Sequence, residues 1–150
     1  MKLVITKAEI QDVAALAPLF DGYRAFYGQE SNLEGARKFL LERLSKNESV
    51  IFVAKDPGKD SFLGFVQLYP SFSSVRMRRK WILNDLFVAQ EFRRRGVGLA
   101  LMRSAEGFAR EDGAASLILD TASDNSIAQN LYEAIGYEKD TLIHYSLHLS

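Results

Sequence analysis

Apolar residues recur at three- and four-residue intervals in two segments near the amino terminus, a spacing that predicts amphipathic helices. The first segment runs from Glu9 to Phe26, and Pro18 is expected to kink or divide it. Its predicted buried face consists of Ile10, Val13, Leu16, Leu19, Phe20 and Tyr23. The second helix is expected to open with a capping box, in which Ser31 is followed three residues later by Glu34. Its apolar stripe comprises Phe39, Leu40, Leu41 and Leu44.

Short, continuous apolar runs in the first two thirds of the chain predict buried strands. These runs are residues 2–7, VIFVA at 50–54, FLGFVQLY at 62–69 and WILNDLFVA at 81–89. The composition of DPGKD at 56–60 predicts a turn, so the two runs on either side of it are expected to pair as antiparallel strands. Pro70 and Ser71 are predicted to form the next turn.

Helix and strand patterns alternate in the second half. A helix is predicted from Val97 to Glu111, followed by a strand at 116–120, a short helix at 125–135 and two closing strands. In the last strand four apolar residues alternate with His144 and His148, which favours solvent-facing histidines. The apolar residues are Ile143, Tyr145, Leu147 and Leu149. The element order predicts an α/β fold with a mixed sheet and one right-handed βαβ unit.

Composition narrows the function classes. A chain of 150 residues, 47% apolar and 25% charged, fits one folded domain. Its 19 basic residues are balanced by 19 acidic ones, which disfavours nucleic-acid binding. With no cysteine and two histidines, the chain lacks the residues for disulfides or thiolate sites, and no metal is expected. The lack of a signal-like or membrane-spanning apolar run predicts a cytoplasmic protein with no membrane partner.

The segment FRRRGVGLALM at 92–102 places three arginines before a glycine turn and a helix start. Backbone N–H groups at a helix start are unpaired and attract anions, and glycines let a ligand approach the main chain closely. The turn is therefore a candidate phosphate site, and a solvated turn with incidental basic residues is the competing interpretation. It lacks the Gly-Lys-Ser/Thr of a P-loop, and Leu101 stands where a dinucleotide fingerprint needs a small residue.

Three segments together resemble the GNAT superfamily of acetyl-CoA-dependent N-acetyltransferases. The family signature Gln/Arg-x-x-Gly-x-Gly/Ala is matched at residues 93–98, which read Arg93, Arg94, Arg95, Gly96, Val97 and Gly98. The preceding LNDLFVAQEF and the later DNSIAQNLYEAIGYEKD resemble the family's central strand and second cofactor motif. The resemblance covers essentially the whole chain. It implies a single domain with a mostly antiparallel sheet, flanked by helices and splayed between its two parallel central strands.

The same resemblance implies acetyl-CoA as co-substrate, held mainly by backbone groups. The amides of Arg94–Gly98 are expected to bind the pyrophosphate of CoA, with matching charge from Arg93, Arg94 and Arg95. The main chain of Leu86, Phe87 and Val88 is expected to bind the pantetheine arm, because this strand is bulged and splayed in family members. Asn125 is expected to contact the cofactor or to cap its helix.

Acetyl transfer to an amine requires a base for the ammonium proton and a donor for the leaving thiolate. The resemblance places Tyr132 beside the sulfur as that donor, whereas its helix position alone favours a core tyrosine. Asp85 is the candidate base because a polar side chain in an apolar strand needs a partner, and an ion pair with an arginine is the alternative. Asn84 is expected to point to the opposite face. It stands where polyamine acetyltransferases, which this strand also resembles, carry a glutamate.

The expected acceptor is a primary amine of a small molecule or a protein, which attacks directly in a ternary complex. Candidate acceptor-binding residues are Tyr27, Glu30, Tyr69 and Asn84. The cluster RMRRK at 76–80 is predicted to lie on an exposed loop, where it could select an acidic group. IHYSLHL and LNDLFV look closest to a histone-acetyltransferase-like subgroup. A non-catalytic acetyl-CoA sensor is the alternative function, and the resemblance is also compatible with a homodimer.

Overall fold

The computed structural model describes residues 2–150, which divide into a first unit ending at Leu119 and a second unit, Asp120–Ser150. The first unit contains a five-stranded sheet. Its strands, in spatial and sequence order, are β1 (Val4–Lys7), β2 (Val50–Lys55), β3 (Gly64–Ser73), β4 (Arg78–Val88) and β5 (Leu117–Ile118). Neighbouring strands from β1 to β4 are antiparallel, and β5 is parallel to β4. The result is the mixed, mostly antiparallel α/β sheet that the sequence predicts.

Helices cover both faces of this sheet. The helices of the first unit are α1 (Val13–Phe26), α2 (Leu33–Ser45) and α3 (Val97–Glu111). Phe20 of α1 and Leu40 of α2 share a buried cluster with Ile51 and Phe65 of the sheet. Because side chains alternate along a strand, Phe52 points to the opposite face, where its ring lies 5.9 Å from that of Phe108 in α3. The second unit contains α4 (Ser126–Ala134).

The cap of α2 differs from the prediction. The side chain of Asn32, not of Ser31, accepts a hydrogen bond from the Gly35 N–H at 2.9 Å. The Ser31 hydroxyl instead donates to Asp21 at 2.6 Å. Asn32 is therefore the residue whose oxygen reaches the unpaired donors of the first turn. Pro18 lies within α1 and does not end the helix.

The predicted turn at Pro70 and Ser71 is wrong, because both residues lie within β3. Pro70 pairs with Trp81, whose N–H is bonded to Ser116 on the β5 side, so the position of Pro70 requires no N–H toward β4. On its other side, β2 has already ended, since its last pair is Val50 with Leu68. Proline is tolerated at such an edge. The turn is formed by residues 74–77.

This longer hairpin also corrects the loop expected at 76–80, because Arg78, Arg79 and Lys80 belong to β4. Two of these cations lie at the carboxyl end of α3, where Arg79 Nε is 3.6 Å from Asp112 Oδ2. Arg78 Nη2 donates to the carbonyls of Gly113 at 3.0 Å and Ala114 at 3.2 Å, beyond the last turn of the helix. Cations favour the carboxyl end of a helix, so these arginines stabilise the fold.

The two closing strands are also wrong, since residues 138–150 form no strand. The alternating residues Ile143, Tyr145, Leu147 and Leu149 are between 78% and 89% exposed. Alternation predicts a face, but a strand also needs a neighbouring backbone with which to form a ladder. His144 and His148 are exposed, as predicted. In residues 2–150 no helix has the length and apolarity needed to cross a membrane.

Candidate active site

A bulge in β4 determines which way its polar residues point. Gln67 pairs with Asp85 and Leu68 pairs with Leu83, which leaves Asn84 as an extra residue. Trp81 contacts Phe108 of α3, with the ring centroids 5.0 Å apart. Asp85, four positions later, would share that face in a regular strand, yet it bonds to Tyr23 of α1. The bulge therefore turns the end of β4 toward α1.

The same bulge overturns the prediction that Asn84 and Asp85 point to opposite faces. Asn84 Nδ2 donates to Asp85 Oδ1 at 3.0 Å, so the two side chains meet on one side. Two further donors reach the carboxylate: Tyr23 Oη donates to Oδ1 at 2.7 Å and Gln67 Nε2 donates to Oδ2 at 2.8 Å. Asp85 is 6% exposed. Among the ion pairs of residues 2–150 none involves Asp85, so the arginine partner considered from the sequence is not found.

Two tyrosines near this carboxylate are held neutral. Burial, followed by the hydrogen bond to Asp85, raises the pKa of Tyr23 well above its ordinary value. Burial raises the pKa of Tyr69 to about 12, with a smaller contribution from the charge of Asp85 and opposition from Arg43. Both phenols therefore keep their proton at neutral pH, and Tyr23 uses it to donate to Asp85.

Beyond the bulge, β4 is held by one neighbouring strand only. The parallel pairing with β5 consists of Trp81 with Leu117 and Ile82 with Ile118. On the other side β3 lies very close, since a Cβ atom on Gly64 would lie 2.8 Å from the Phe87 carbonyl oxygen. The end of β4 therefore keeps its bonds to β3, while every second residue directs its backbone polar groups away from β3 and toward the side where β5 has ended.

A cavity of about 280 Å³ lies against this open end of β4. Its lining comes from the last turn of α1, the end of β4 and the start of α3. The lining residues are Phe26, Tyr27, Leu86, Phe87, Val88, Arg93 and Gly98. The cavity therefore combines an aromatic wall with exposed strand backbone and a helix start.

The arginine-glycine turn enters α3 through two residues with left-handed backbone conformations. Arg94 has φ of 63° and Gly96, the N-cap residue, has φ of 79°. A non-glycine residue in this region costs roughly 1–2 kcal/mol, and no side chain caps the helix. Left-handed residues in a turn direct successive N–H groups into one concave surface, which suits an anion.

Arg93 points back to the strand instead of away from it. Its Nε donates to the Val88 carbonyl at 3.0 Å. Its guanidinium carbon lies 5.2 Å from the ring centre of Phe26 and 5.5 Å from that of Phe87. These distances are typical of cation–π contacts, so the aromatic wall of the cavity already accepts one cation.

Comparison with known proteins identifies the fold and its chemistry. Residues 16–137 match the model of the Acetyltransferase (GNAT) family. The chain belongs to the GNAT family. An uncharacterized N-acetyltransferase of Bacillus subtilis, YhfO, is 49% identical over 146 residues, which are 97% of each chain. A probable acetyltransferase of Haemophilus influenzae is 35% identical over 88% of this chain and 86% of its own. The crystal structure of a probable acetyltransferase superposes with a TM-score of 0.91 at 46% identity, covering 100% of this chain and 99% of the other.

The structure brings six residues of the predicted GNAT site together around one cavity. Leu86, Phe87, Val88, Arg93 and Gly98 line one cavity with Tyr27, and Tyr69 lies near Asp85. Glu30 is not among the residues that line the cavity; its side chain is exposed, and its carbonyl accepts a hydrogen bond from Arg24 at 3.2 Å.

Two predicted residues belong to the second unit. Asn125 caps α4, accepting a hydrogen bond from the Ala128 N–H at 3.1 Å, which is the role that the sequence favours. Tyr132 lies in α4 with its ring 6.1 Å from that of Tyr137. Its role as a proton donor stays a prediction. Residues 2–150 contain no group of three or more acidic or histidine side chains that could hold a metal ion.

Sequence reasoning missed Tyr23 and Gln67 as members of this site. Gln67 is a polar residue in an otherwise apolar run, the same sequence signal that indicates Asp85. In the structure Gln67 is fully buried. Tyr23 fits the apolar face of α1, a position that predicts packing in the core. Its hydroxyl could not be placed from periodicity, because the pattern gives a helix face and no atom at the end of a side chain.

Proposed function

We propose that this GNAT acetyltransferase transfers the acetyl group of acetyl-CoA to a primary amine, on a small molecule or a protein, by direct attack in a ternary complex. The observation that carries the proposal is the cavity at the end of β4, where open strand backbone and an uncapped helix start lie together. The absence of cysteine supports direct attack, because no thiol is available to carry the acetyl group.

The residues around the cavity fit acetyl-CoA. The N–H groups from Arg94 to Gly98 suit a diphosphate, since the turn is concave and the start of α3 is uncapped. The backbone at Leu86–Val88 suits an extended amide chain, which could add to β4 where β5 has ended. Bound there, acetyl-CoA supplies the acetyl group as a thioester. Val88 is the exception, because its carbonyl already accepts from Arg93.

Asp85 is the residue we assign to the proton of the acceptor. An alkylammonium has a pKa near 10.4, so a base must remove a proton before the nitrogen can attack. Asp85 is buried, has no cationic partner among the ion pairs of the described residues, and lies beside Tyr23, which contacts two cavity-lining rings. Asn84 and Tyr69 complete its surroundings, and Tyr27 forms part of the wall.

Tyr132 is the residue we assign to the leaving sulfur, on the family resemblance of its motif. Replacing it with phenylalanine removes the donor hydroxyl and keeps the ring. We expect Tyr132→Phe to lower kcat by about a hundredfold or more with little change in acetyl-CoA affinity. Single-turnover kinetics and calorimetric titration with acetyl-CoA measure the two quantities separately. An unchanged kcat would remove Tyr132 from the proposal.

The direct test combines calorimetric titration with acetyl-CoA and an assay of thiol release across a panel of primary amines. The proposal predicts saturable binding and amine-dependent release. Binding without release for any amine would instead support a non-catalytic sensor, and absence of binding would contradict both functions.

A further inference from the structure

Gln67 is a buried polar residue with one end engaged and the other end free. It lies on β3 and is fully buried. Its Nε2 donates to Asp85 Oδ2 at 2.8 Å, whereas its carbonyl oxygen Oε1 is buried without a hydrogen-bond partner. A buried acceptor without a donor costs about 1–3 kcal/mol, which favours any ligand that supplies one.

A second free acceptor position lies on Asp85 itself. Each carboxylate oxygen can accept about two hydrogen bonds. Oδ1 accepts from both Tyr23 and Asn84, whereas Oδ2 accepts from Gln67 alone. Because Oε1 and Nε2 of Gln67 share one amide carbon, Oε1 lies within about 5 Å of Asp85 Oδ2. An acceptor without a donor and an acceptor with room for a second donor are therefore neighbours.

The negative charge of Asp85 favours a cation beside these two oxygens. Asp85 takes part in none of the ion pairs of residues 2–150, so its negative charge is met by neutral donors only. Tyr23, which donates to Asp85, also contacts two residues that line the cavity, since its ring lies 5.1 Å from that of Tyr27 and 5.8 Å from that of Phe87. Phe87 already lies against the guanidinium of Arg93, which shows that this wall accepts positive charge.

We propose that Asp85 Oδ2 and Gln67 Oε1 together bind the ammonium group of the acceptor, which makes Gln67 a specificity-determining residue for ammonium groups with at least two hydrogens. This inference rests on the proposed function and extends it. One N–H of the ammonium is directed at each oxygen, so the group needs at least two hydrogens, which a primary ammonium supplies and a tertiary ammonium does not. Loss of the proton breaks the N–H bond facing Oδ2 and forms an O–H bond there. The electron pair stays on nitrogen, while Oε1 still accepts from the amine.

The kinetic test uses Gln67→Leu, which keeps much of the shape and removes both polar ends. We expect its KM for a primary amine to rise about tenfold, with the acetyl-CoA dissociation constant within twofold of the original and the tighter binding of primary than of tertiary ammonium ions reduced. The control is Thr6→Val, which removes another buried polar group without a hydrogen-bond partner, on β1, which β2 and β3 separate from β4. It should leave all three quantities unchanged. An unchanged KM in Gln67→Leu, or an equal loss of acetyl-CoA affinity, contradicts the proposal.

A spectroscopic test works without turnover. The side-chain amide signal of Gln67 in nitrogen-labelled protein is identified by its loss in Gln67→Leu or, where that variant does not fold, by its movement in Asp85→Asn. The intact protein is then titrated with n-butylamine hydrochloride and, separately, with n-butanol. Movement with the ammonium alone supports the proposal, even if no amine is acetylated and the proposed function fails. No movement with the ammonium, or equal movement with the alcohol, overturns it, whatever the outcome of the thiol-release assay.

Discussion

The two halves of β4 differ in how their polar residues are satisfied. In the first half, Arg78 binds carbonyls beyond α3, Trp81 Nε1 donates to Asp112 at 2.8 Å, and the backbone pairs with strands on both sides. In the second half, Asp85 gathers three neutral donors around an unpaired charge, and the backbone has lost its parallel neighbour. The first half of β4 therefore has its polar groups paired within the fold. The second half has a charge without an ionic partner and open backbone groups, which suit a ligand.

The largest expected effect comes from the same substitution, aspartate to asparagine, made in the second half of β4 and beside the first. Asp85→Asn should lower kcat by about 10²–10⁴-fold, because the amide cannot take up a proton, and should leave acetyl-CoA binding intact. Asp112→Asn, at the other end of the strand, should leave kcat unchanged and lower Tm by about 2–4 °C, because it weakens the ion pair with Arg79. Steady-state kinetics and thermal unfolding distinguish the outcomes. Similar kcat values for both variants would remove the distinction between the halves.

Deleting Asn84 tests the bulge itself. The deletion makes the pairs Gln67 with Asp85 and Leu68 with Leu83 consecutive, so flanking side chains keep their faces and the fold should survive. The strand would lose the distortion that accompanies its separation from β5, and acetyl-CoA affinity should fall about tenfold. Asn84→Gly is the matched control, since it removes the side chain and keeps the extra residue. Equal acetyl-CoA affinity in the deletion and in the original protein would contradict the role of the bulge.

Replacing either of two arginines should give a smaller effect, one on acetyl-CoA affinity and the other on thermal stability. Arg93→Ala removes a cation that spans Val88, Phe26 and Phe87 at the cavity, so acetyl-CoA affinity should fall by about threefold to tenfold. Arg78→Ala should instead lower Tm by about 2–4 °C, because two carbonyls beyond α3 lose their donor. Calorimetric titration and thermal unfolding of both variants provide the comparison. If Arg78→Ala were the variant that lost affinity, the assignment of the two ends would be reversed.

The smallest expected effect is spectroscopic. The folded pKa of Tyr69, about 12, lies above its ordinary value of 10.0, so the neutral phenol favours the folded state. That contribution is complete below pH 10 and is lost as the pH rises toward 12. Alkaline titration of tyrosinate absorbance should lose the component near pH 12 in Tyr69→Phe and keep that of Tyr23, whose pKa is also raised. In Asp85→Asn the same component should move to lower pH, because one cause of the shift is the negative charge of Asp85. No movement in Asp85→Asn would place Tyr69 outside the influence of the carboxylate.

Periodicity predicted the helices well and the strand ends less well. The predicted bounds of α3, Val97 and Glu111, are those of the structure, because a long amphipathic stripe and a glycine at each end determine them. Pro70 misled the prediction, because its tolerance in β3 depends on where β2 ends, a fact of tertiary structure. The alternation at 143–149 likewise predicts a strand only if a partner backbone is available.

The candidate site could be predicted in its backbone part and only partly in its side chains. Leu86, Phe87, Val88, Arg93 and Gly98 come from neighbouring segments of the chain, so their position around one cavity depends little on long-range contacts. Asp85 was identified as a polar residue in an apolar run. The orientation of Asn84 relative to Asp85 could not be predicted, because a single extra residue in β4 changes the face of every residue after it. The hydrogen-bond partners of Asp85, Tyr23 and Gln67, lie 62 and 18 residues away in the sequence.

The central claim is that the open end of β4 and the Arg94–Gly98 turn together bind acetyl-CoA. A crystal structure of the protein with CoA tests it most directly. The account predicts diphosphate oxygens within hydrogen-bond distance of N–H groups in this turn, and pantetheine amides paired with the backbone of Leu86–Val88. A complex in which the ligand binds elsewhere and this turn contacts no phosphate would contradict it.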